Sequence, residues 1–265
     1  MNVLNIKSAL VVLLSCLAMF VSSTVYAGDS LDNDLNEAAY KGDTKEVVRL
    51  LQQGAHVDAA NKYGARAIDF AAMRGYTEMA RILIDAGANI EQKSGKYENT
   101  VLMHAVEKKG SLEILQMLIA ASANVNATDK AGKTALFGAC YSGNAEAAKL
   151  LLAAGAKVDH ADNNGIQPIH FAVDKGYERS HTLQHEEVVK VLLDAGAKID
   201  AQDKNGWQPI HYAADGVNVS LVKFLIESGA DINAPSIDGL TPLQVAKRRD
   251  VWGRVYRAMD ELRVK

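Results

Sequence analysis

A five-residue phrase, Gly-Ala-x-apolar-x, returns along the chain at near-constant intervals. It stands as GAHVD from Gly54, GANIE from Gly87, GAKVD from Gly155, GAKID from Gly196 and GADIN from Gly229. SANVN from Ser122 is the same phrase with its glycine replaced. The spacings are 33, 35, 33, 41 and 33 residues. A second phrase keeps step with it: TALF from Thr134, QPIH from Gln167, QPIH from Gln208 and TPLQ from Thr241, with degenerate forms TVLM from Thr100 and RAID from Arg66. A fixed period of roughly 20–50 residues means a stack of small units, each unable to bury its apolar face alone.

The residue types explain the unit. Thr or Gln at the head of the second phrase places a side-chain acceptor near a helix start. Pro168, Pro209 and Pro242 fall at the first helical position, where no amide donor is lost. Leu136, Ile169, Ile210 and Leu243 then face inward, followed by Ala139, Ala172 and Ala213, small enough for close helix contact. Gly42, Gly75, Gly110, Gly143 and Gly176 mark a turn into a second helix, whose apolar residues keep helical spacing, as in Val188, Val189, Val191, Leu192 and Leu193. The glycine of Gly-Ala ends that helix in a left-handed conformation.

The paired phrases resemble the T-P-L-H and G-A-D-V-N signatures of the ankyrin repeat and cover nearly all of the chain after its first 27 residues. The resemblance implies an all-α repeat solenoid, an ankyrin stack of about seven helix-turn-helix units including caps, joined by β-hairpin-like fingers turning at Gly64, Gly132, Gly165, Gly206 and Gly239. One repeat domain then spans 28–265, with an N-terminal cap at about 33–60, internal repeats at about 61–235 and a C-terminal cap at about 236–265. Polar Asn33, Asp34 and Asn36 suit the first cap. In the last, Val251, Trp252, Val255, Met259 and Leu262 stand in place of the second helix. Ser122 at a left-handed position is expected to cost about 1 kcal/mol. Single insertions near Ser94 and Lys109 make the third repeat the least regular, and the fifth carries about eight extra residues, Tyr177 to Gln184, between its helices.

The first 27 residues read as an export signal. Lys7 gives a positive start, Ala9 to Val21 form an apolar run broken only by Ser15, and Val25 and Ala27 fit the small-residue positions of a cleavage site. The run is shorter than the roughly 20 residues of a spanning helix. Cleavage after Ala27 is the expectation; an uncleaved anchor, or lipidation at Cys16, is the alternative. Cleavage removes Cys16, leaving Cys140 without a disulfide partner, which fits a bacterial periplasm better than a eukaryotic exterior. Periplasmic localisation is therefore expected, with secretion the alternative.

Chemistry is thinly represented. No paired carboxylates, nucleophile elbow, phosphate loop or metal motif stands out, so neither an enzyme nor a cofactor is expected. Cys140 takes a small buried position of the repeat, and the resemblance makes His170 and His211 structural, bonded to the backbone of a neighbouring finger. His181 and His185, four apart in the inserted loop, are the one pair that could share a metal ion, but no further ligands complete the set. The loop reads better as partner-specific, with Tyr177, Arg179, His181 and His185 as its candidate contacts. Asn126 and Asn218 begin glycosylation sequons, read as chance.

In ankyrin proteins the fingers and first helices line a concave binding face. Carried onto this chain, that face holds Tyr40, Tyr63, Arg74, Tyr97, Lys108, Tyr141 and Trp207, and interface hot spots favour its Tyr, Trp and Arg. A net charge of −3 argues against nucleic acid. The expected partner is a protein, bound by a monomer with no stable membrane insertion after signal cleavage. The chain resembles periplasmic bacterial ankyrin-repeat proteins, some linked to oxidative-stress defence and some to neutralising exported toxins. The expected role is thus a non-catalytic envelope scaffold or inhibitor. An exported effector binding host proteins and a metal-dependent enzyme using the insertion are the alternatives.

Overall fold

The computed structural model describes residues 30–107, 112–173, 182–249 and 253–263. The proposed leader, Lys108, the insertion's Tyr177, Arg179 and His181, and Val251 and Trp252 lie outside the described residues. The helices are α1 (30–41), α2 (Thr44–Gln52), α3 (Ala67–Arg74), α4 (Thr77–Asp85), α5 (Val101–Glu107), α6 (Leu112–Ala120), α7 (Ala135–Ser142), α8 (Ala145–Ala153), α9 (Pro168–Val173), α10 (Thr182–Asp194), α11 (Pro209–Asp215), α12 (Val219–Glu227), α13 (Pro242–Arg249) and α14 (Arg254–Arg263). Taken in consecutive pairs they make seven repeats, as the two phrases require.

Helix ends follow the sequence closely. α3 and α7 stop at Gly75 and Gly143, both left-handed with φ of 75° and 66°. The side chains of Asp43, Asn144 and Asn218 then cap α2, α8 and α12, accepting from the N–H of Glu46, Ala147 and Leu221. The second helices α2, α4, α8, α10 and α12 end on a Gly-Ala pair, where the alanine N–H donates to a carbonyl five residues back, as in Ala156 to Leu151. Ser122 adopts φ 66° in this role and Ala123 still reaches the Leu118 carbonyl, so the turn forms without its glycine.

The helices fall into two compact units, Met1–Asn89 and Ile90–Lys265. In the first, α4 packs on α2 and α3 around Val47, Leu50, Ile68, Met79 and Leu83. Asn33 and Asp34 are exposed, as a cap requires, but Asn36 is buried. Its amide donates to the carbonyls of Asp32 and Ala59, which makes it an internal tie and not a solvated cap residue.

The second unit is two layers of helices. α5, α7, α9, α11 and α13 contact their neighbours in one layer, and α6, α8, α10, α12 and α14 in the other. Leu118, Leu136, Leu151, Ile169, Leu192, Ile210 and Leu225 are fully buried between them. α14 is a second helix in its own right, with Val255 and Met259 buried, so the last repeat keeps its helix pair, contrary to the expectation that these residues stand in its place.

Two backbone devices join repeats. The last residue of one Gly-Ala phrase accepts the N–H at the third position of the next: Asp58 from Asn89, Glu91 from Asn124, and Asn126 from Lys157. The fingers form the other. Among the described residues the only bridge pair is Ser94 with Asn99, so the fingers are hairpin-like turns, closed by bonds such as Asp162 N–H to the Ile166 carbonyl, and not paired strands. Asx turns shape them instead, with Asp162 Oδ1 accepting from the N–H groups of Asn164 and Ile166, and Asp203 Oδ1 from those of Asn205 and Trp207. Neighbouring fingers are joined by backbone bonds, Lys130 to Tyr97, Asn163 to Ala131, Lys204 to Asn164 and Ile237 to Asn205, with Asn163 Nδ2 to the Lys130 carbonyl and Lys204 Nζ to the Asn163 carbonyl beside them.

Candidate functional site

The second unit carries a cleft of about 600 Å³ between its fingers and its first helices. Met103 and Val106 of α5 and Gly138 of α7 line its floor, and Tyr97, Phe137, Tyr141 and Phe171 surround it. The aromatic rings support one another: Phe137 meets Phe171 edge-on at 5.3 Å, and Tyr141 lies 6.5 Å from the same ring. Tyr97 and Tyr141 nevertheless remain 64% and 52% exposed. The Lys133 ammonium sits 4.3 Å from the centre of the Phe171 ring, a cation–π distance. Asp129, also at the cleft, spends Oδ1 on the N–H groups of Ala131 and Lys133, so its first task is to shape the finger.

The remaining candidates divide by place. In the first unit, Arg74 stacks its guanidinium 4.4 Å from the centre of the Tyr40 ring, and Tyr40 meets Phe70 edge-on at 5.5 Å. Tyr63 stands at a finger tip, 72% exposed, with the Lys62 ammonium 5.1 Å from its ring. Trp207, in the second unit, is half-buried and packs on His211 and Tyr212, with ring centres 5.7 and 5.3 Å apart. Its main part is to hold a finger against α11. His185 is not a loop residue: it lies in α10, buried, with Nδ1 3.0 Å from the Ala172 carbonyl. The end of the insertion has become an extra turn of helix, making α10 13 residues long where its neighbours α8 and α12 have 9.

His170 and His211 are buried and tie their repeats to the next finger. Nδ1 accepts the N–H of Gln167 or Gln208, and Nε2 donates to the carbonyls of Ala201 and Leu240 respectively. Burial pushes both imidazoles below their ordinary pKa, so they stay neutral. Cys140 is fully buried, and burial pushes its thiol well above the usual range, away from thiolate chemistry. The two sequon asparagines have structural work: Asn126 bonds to the Lys157 N–H and the Gly155 carbonyl, and Asn218 caps α12. Among the described residues no group of three His, Cys, Asp or Glu side chains converges on a metal position, and no helix is long and apolar enough to cross a membrane.

Phe70, Phe171 and Tyr212 were not among the sequence candidates, yet each contacts one of them or a neighbouring histidine. All three occupy the residue directly after the four-residue phrase, in RAIDF, QPIHF and QPIHY. That shared register is the signal that would have found them.

Helix pairs, Gly-Ala turns and Asx-turn fingers define a helical repeat protein. Three copies of the family described as "Ankyrin repeats" match residues 35–129, 102–203 and 179–252, and the chain belongs to the ankyrin-repeat family. It is 32% identical over 168 residues to the Homo sapiens ankyrin repeat and SOCS box protein 6, covering 60% of this chain and 39% of that protein. It is also 32% identical over 143 residues to the Caenorhabditis elegans ankyrin repeat and KH domain-containing protein mask-1, covering 54% of this chain and 6% of the relative. The chain thus spans well under two thirds of these relatives' lengths. The crystal structure of the human ASB11 ankyrin repeat domain superposes with a TM-score of 0.73 at 24% identity, covering 86% of this chain and 96% of that one. Proteins built of ankyrin repeats are in general non-catalytic scaffolds that bind other proteins.

Proposed function

We propose that the chain is a non-catalytic protein-binding scaffold or inhibitor of a bacterial envelope, active in the periplasm and engaging its partner through fingers and first helices. The observation that carries the binding face is the cleft of the second unit. Tyr97 and Tyr141 are more than half exposed at an apolar-floored groove. Rigid aromatic surface of this kind is tolerated where a partner covers it. The periplasmic assignment rests on the leader-like run Ala9 to Val21 followed by Val25 and Ala27.

Two measurements test this reading. A photo-crosslinking amino acid placed at Tyr97 or Tyr141 is expected to capture a protein that the same group at Glu113 or Lys223, on the second-helix layer, does not. Equal capture from both layers, or none from either, refutes the binding face. Osmotic-shock fractionation with N-terminal sequencing is expected to find mature protein beginning at Gly28 in the periplasmic fraction. Cytoplasmic retention of the uncut chain refutes the location, and recovery from the medium favours the secreted effector.

A further inference from the structure

The cleft is lined by one cation and one anion, Lys133 and Asp129, but the two fingers that supply them are basic in a chain that is net acidic. The protein carries a net −3, yet the two fingers at the cleft bring Lys93, Lys96, Lys130 and Lys133 against Glu98 and Asp129. Lys133 is the cation that lines the cleft itself, half-buried, and among the described residues no carboxylate pairs with its ammonium. A half-buried cation held over an aromatic ring and lacking a counter-ion is poised for an anionic group brought by a ligand. The apolar floor and the exposed tyrosines call for an uncharged, bulky side chain beside that group.

We infer that this cleft reads an extended segment of a partner protein in which an aromatic or large aliphatic side chain stands next to a carboxylate. The bulky side chain occupies the cleft lined by Tyr97, Phe137 and Tyr141, and the carboxylate meets Lys133. This deepens the protein-binding reading above and rests on it. Charge complementarity selects the occupant: a basic segment would set its cations against Lys96, Lys130 and Lys133, and a wholly polar one would leave the aromatic surface uncovered.

The test is a selection of short random peptides displayed on phage, against the full chain and against its Lys133→Glu and Tyr141→Ala variants, each first checked by circular dichroism for an unchanged fold. The full chain is expected to enrich a consensus with Phe, Trp, Tyr or Leu beside Asp or Glu. Lys133→Glu should weaken the best peptide by about tenfold or more and shift the consensus toward Lys or Arg. Tyr141→Ala should weaken it without changing the charge preference. A consensus that Lys133→Glu leaves unchanged, a basic or wholly polar consensus, or no enrichment each overturns the inference. So does self-association that competes with the peptide. Crosslinking from Tyr97 or Tyr141 is scored separately, so a partner captured there without an acidic-apolar segment sinks the inference and leaves the binding reading standing.

Discussion

Arg66 and Asp69 are joined across one turn with no solvent exposure on either side chain. Arg66 Nε and Nη2 donate to the two carboxylate oxygens at 3.2 and 3.1 Å, and the Arg66 backbone N–H donates to the same carboxylate at 2.9 Å. Arg66 Nη1 continues to the Asn89 carbonyl at 2.7 Å. In the fifth repeat one imidazole does both tasks, accepting the N–H of Gln167 and donating to the Ala201 carbonyl. The second repeat divides them between a carboxylate and a guanidinium. RAID is therefore a reworked version of the phrase and not a decayed one.

The pair makes a stability prediction. Asp69→Ala removes the bidentate partner of a buried guanidinium and leaves it only Asp58 Oδ1, 3.6 Å from Nη1, so it is expected to cost up to about 3–5 kcal/mol. Installing Thr at 66 and His at 69 together restores the family pattern and should recover most of the loss. Urea unfolding followed by circular dichroism measures both. A loss below about 1 kcal/mol for Asp69→Ala contradicts the account.

Three side chains occupy left-handed backbone that glycine fills elsewhere: Glu98, with φ 58° at the finger position held by Gly64 and Gly132 in other repeats, and two that end helices. Ser122 has φ 66° and Val217 φ 54°. Gly216, one residue before Val217, is right-handed at φ −73°, so the turn after α11 has slipped onto a β-branched residue. Left-handed backbone costs an L-residue about 1–2 kcal/mol. Ser122→Gly and Val217→Gly are each expected to raise stability by about 1 kcal/mol, read as a shift in urea midpoint. A destabilised Ser122→Gly, where an exposed side chain has little to lose, would refute the strain.

What the sequence disclosed and what it hid follow from how each feature is encoded. Repeat number, helix ends and fingers are written by residues whose effects are local: a proline that starts α9, an asparagine that caps α8, an aspartate that closes a finger on its own backbone. The places of Tyr97 and Tyr141 were legible for the same reason, since register alone puts them on a finger and a first helix. Non-local features stayed hidden. Nothing near His185 says that its ring turns inward to the Ala172 carbonyl, because that depends on where α9 lies. Lys133 was not singled out by the sequence, because Phe171, the ring under its ammonium, belongs to the following repeat.

The buried histidines predict a pH dependence. Burial lowers the folded-state pKa of His170 and His211 below the ordinary value of 6.5. Below about pH 6.5 the unfolded chain takes up protons that the folded chain refuses, so stability is full above that pH and falls as acid is added, levelling only below the folded pKa values. Each histidine contributes a slope of at most about 1.4 kcal/mol per pH unit in that window. Gln244 offers a model for removing it, since its Oε1 accepts the Thr241 N–H at the matching place. His170→Gln and His211→Gln should each flatten the fall in melting temperature between about pH 6.5 and 5, and an unchanged profile in both variants rules the mechanism out.

The floor of the cleft depends on a missing side chain. A Cβ on Gly138 would stand 2.7 Å from Val106 Cγ2, and that valine is buried and cannot swing aside. Gly138→Ala gains about 1 kcal/mol of helix propensity but pushes α7 off α5, for which overpacking costs about 1–3 kcal/mol. The net expectation is a small loss of stability. Val106→Ala removes the obstructing methyl, so in that background Gly138→Ala should become neutral or stabilising. A double-mutant cycle by urea unfolding measures the coupling, expected at about 1 kcal/mol or more. Because both residues line the cleft, the same four proteins also report on binding: Gly138→Ala alone should weaken a ligand seated on Tyr97 and Tyr141, and Val106→Ala should restore it. Additive stabilities together with unaltered binding would show that α5 and α7 tolerate the extra atom and that the glycine is there for some other reason.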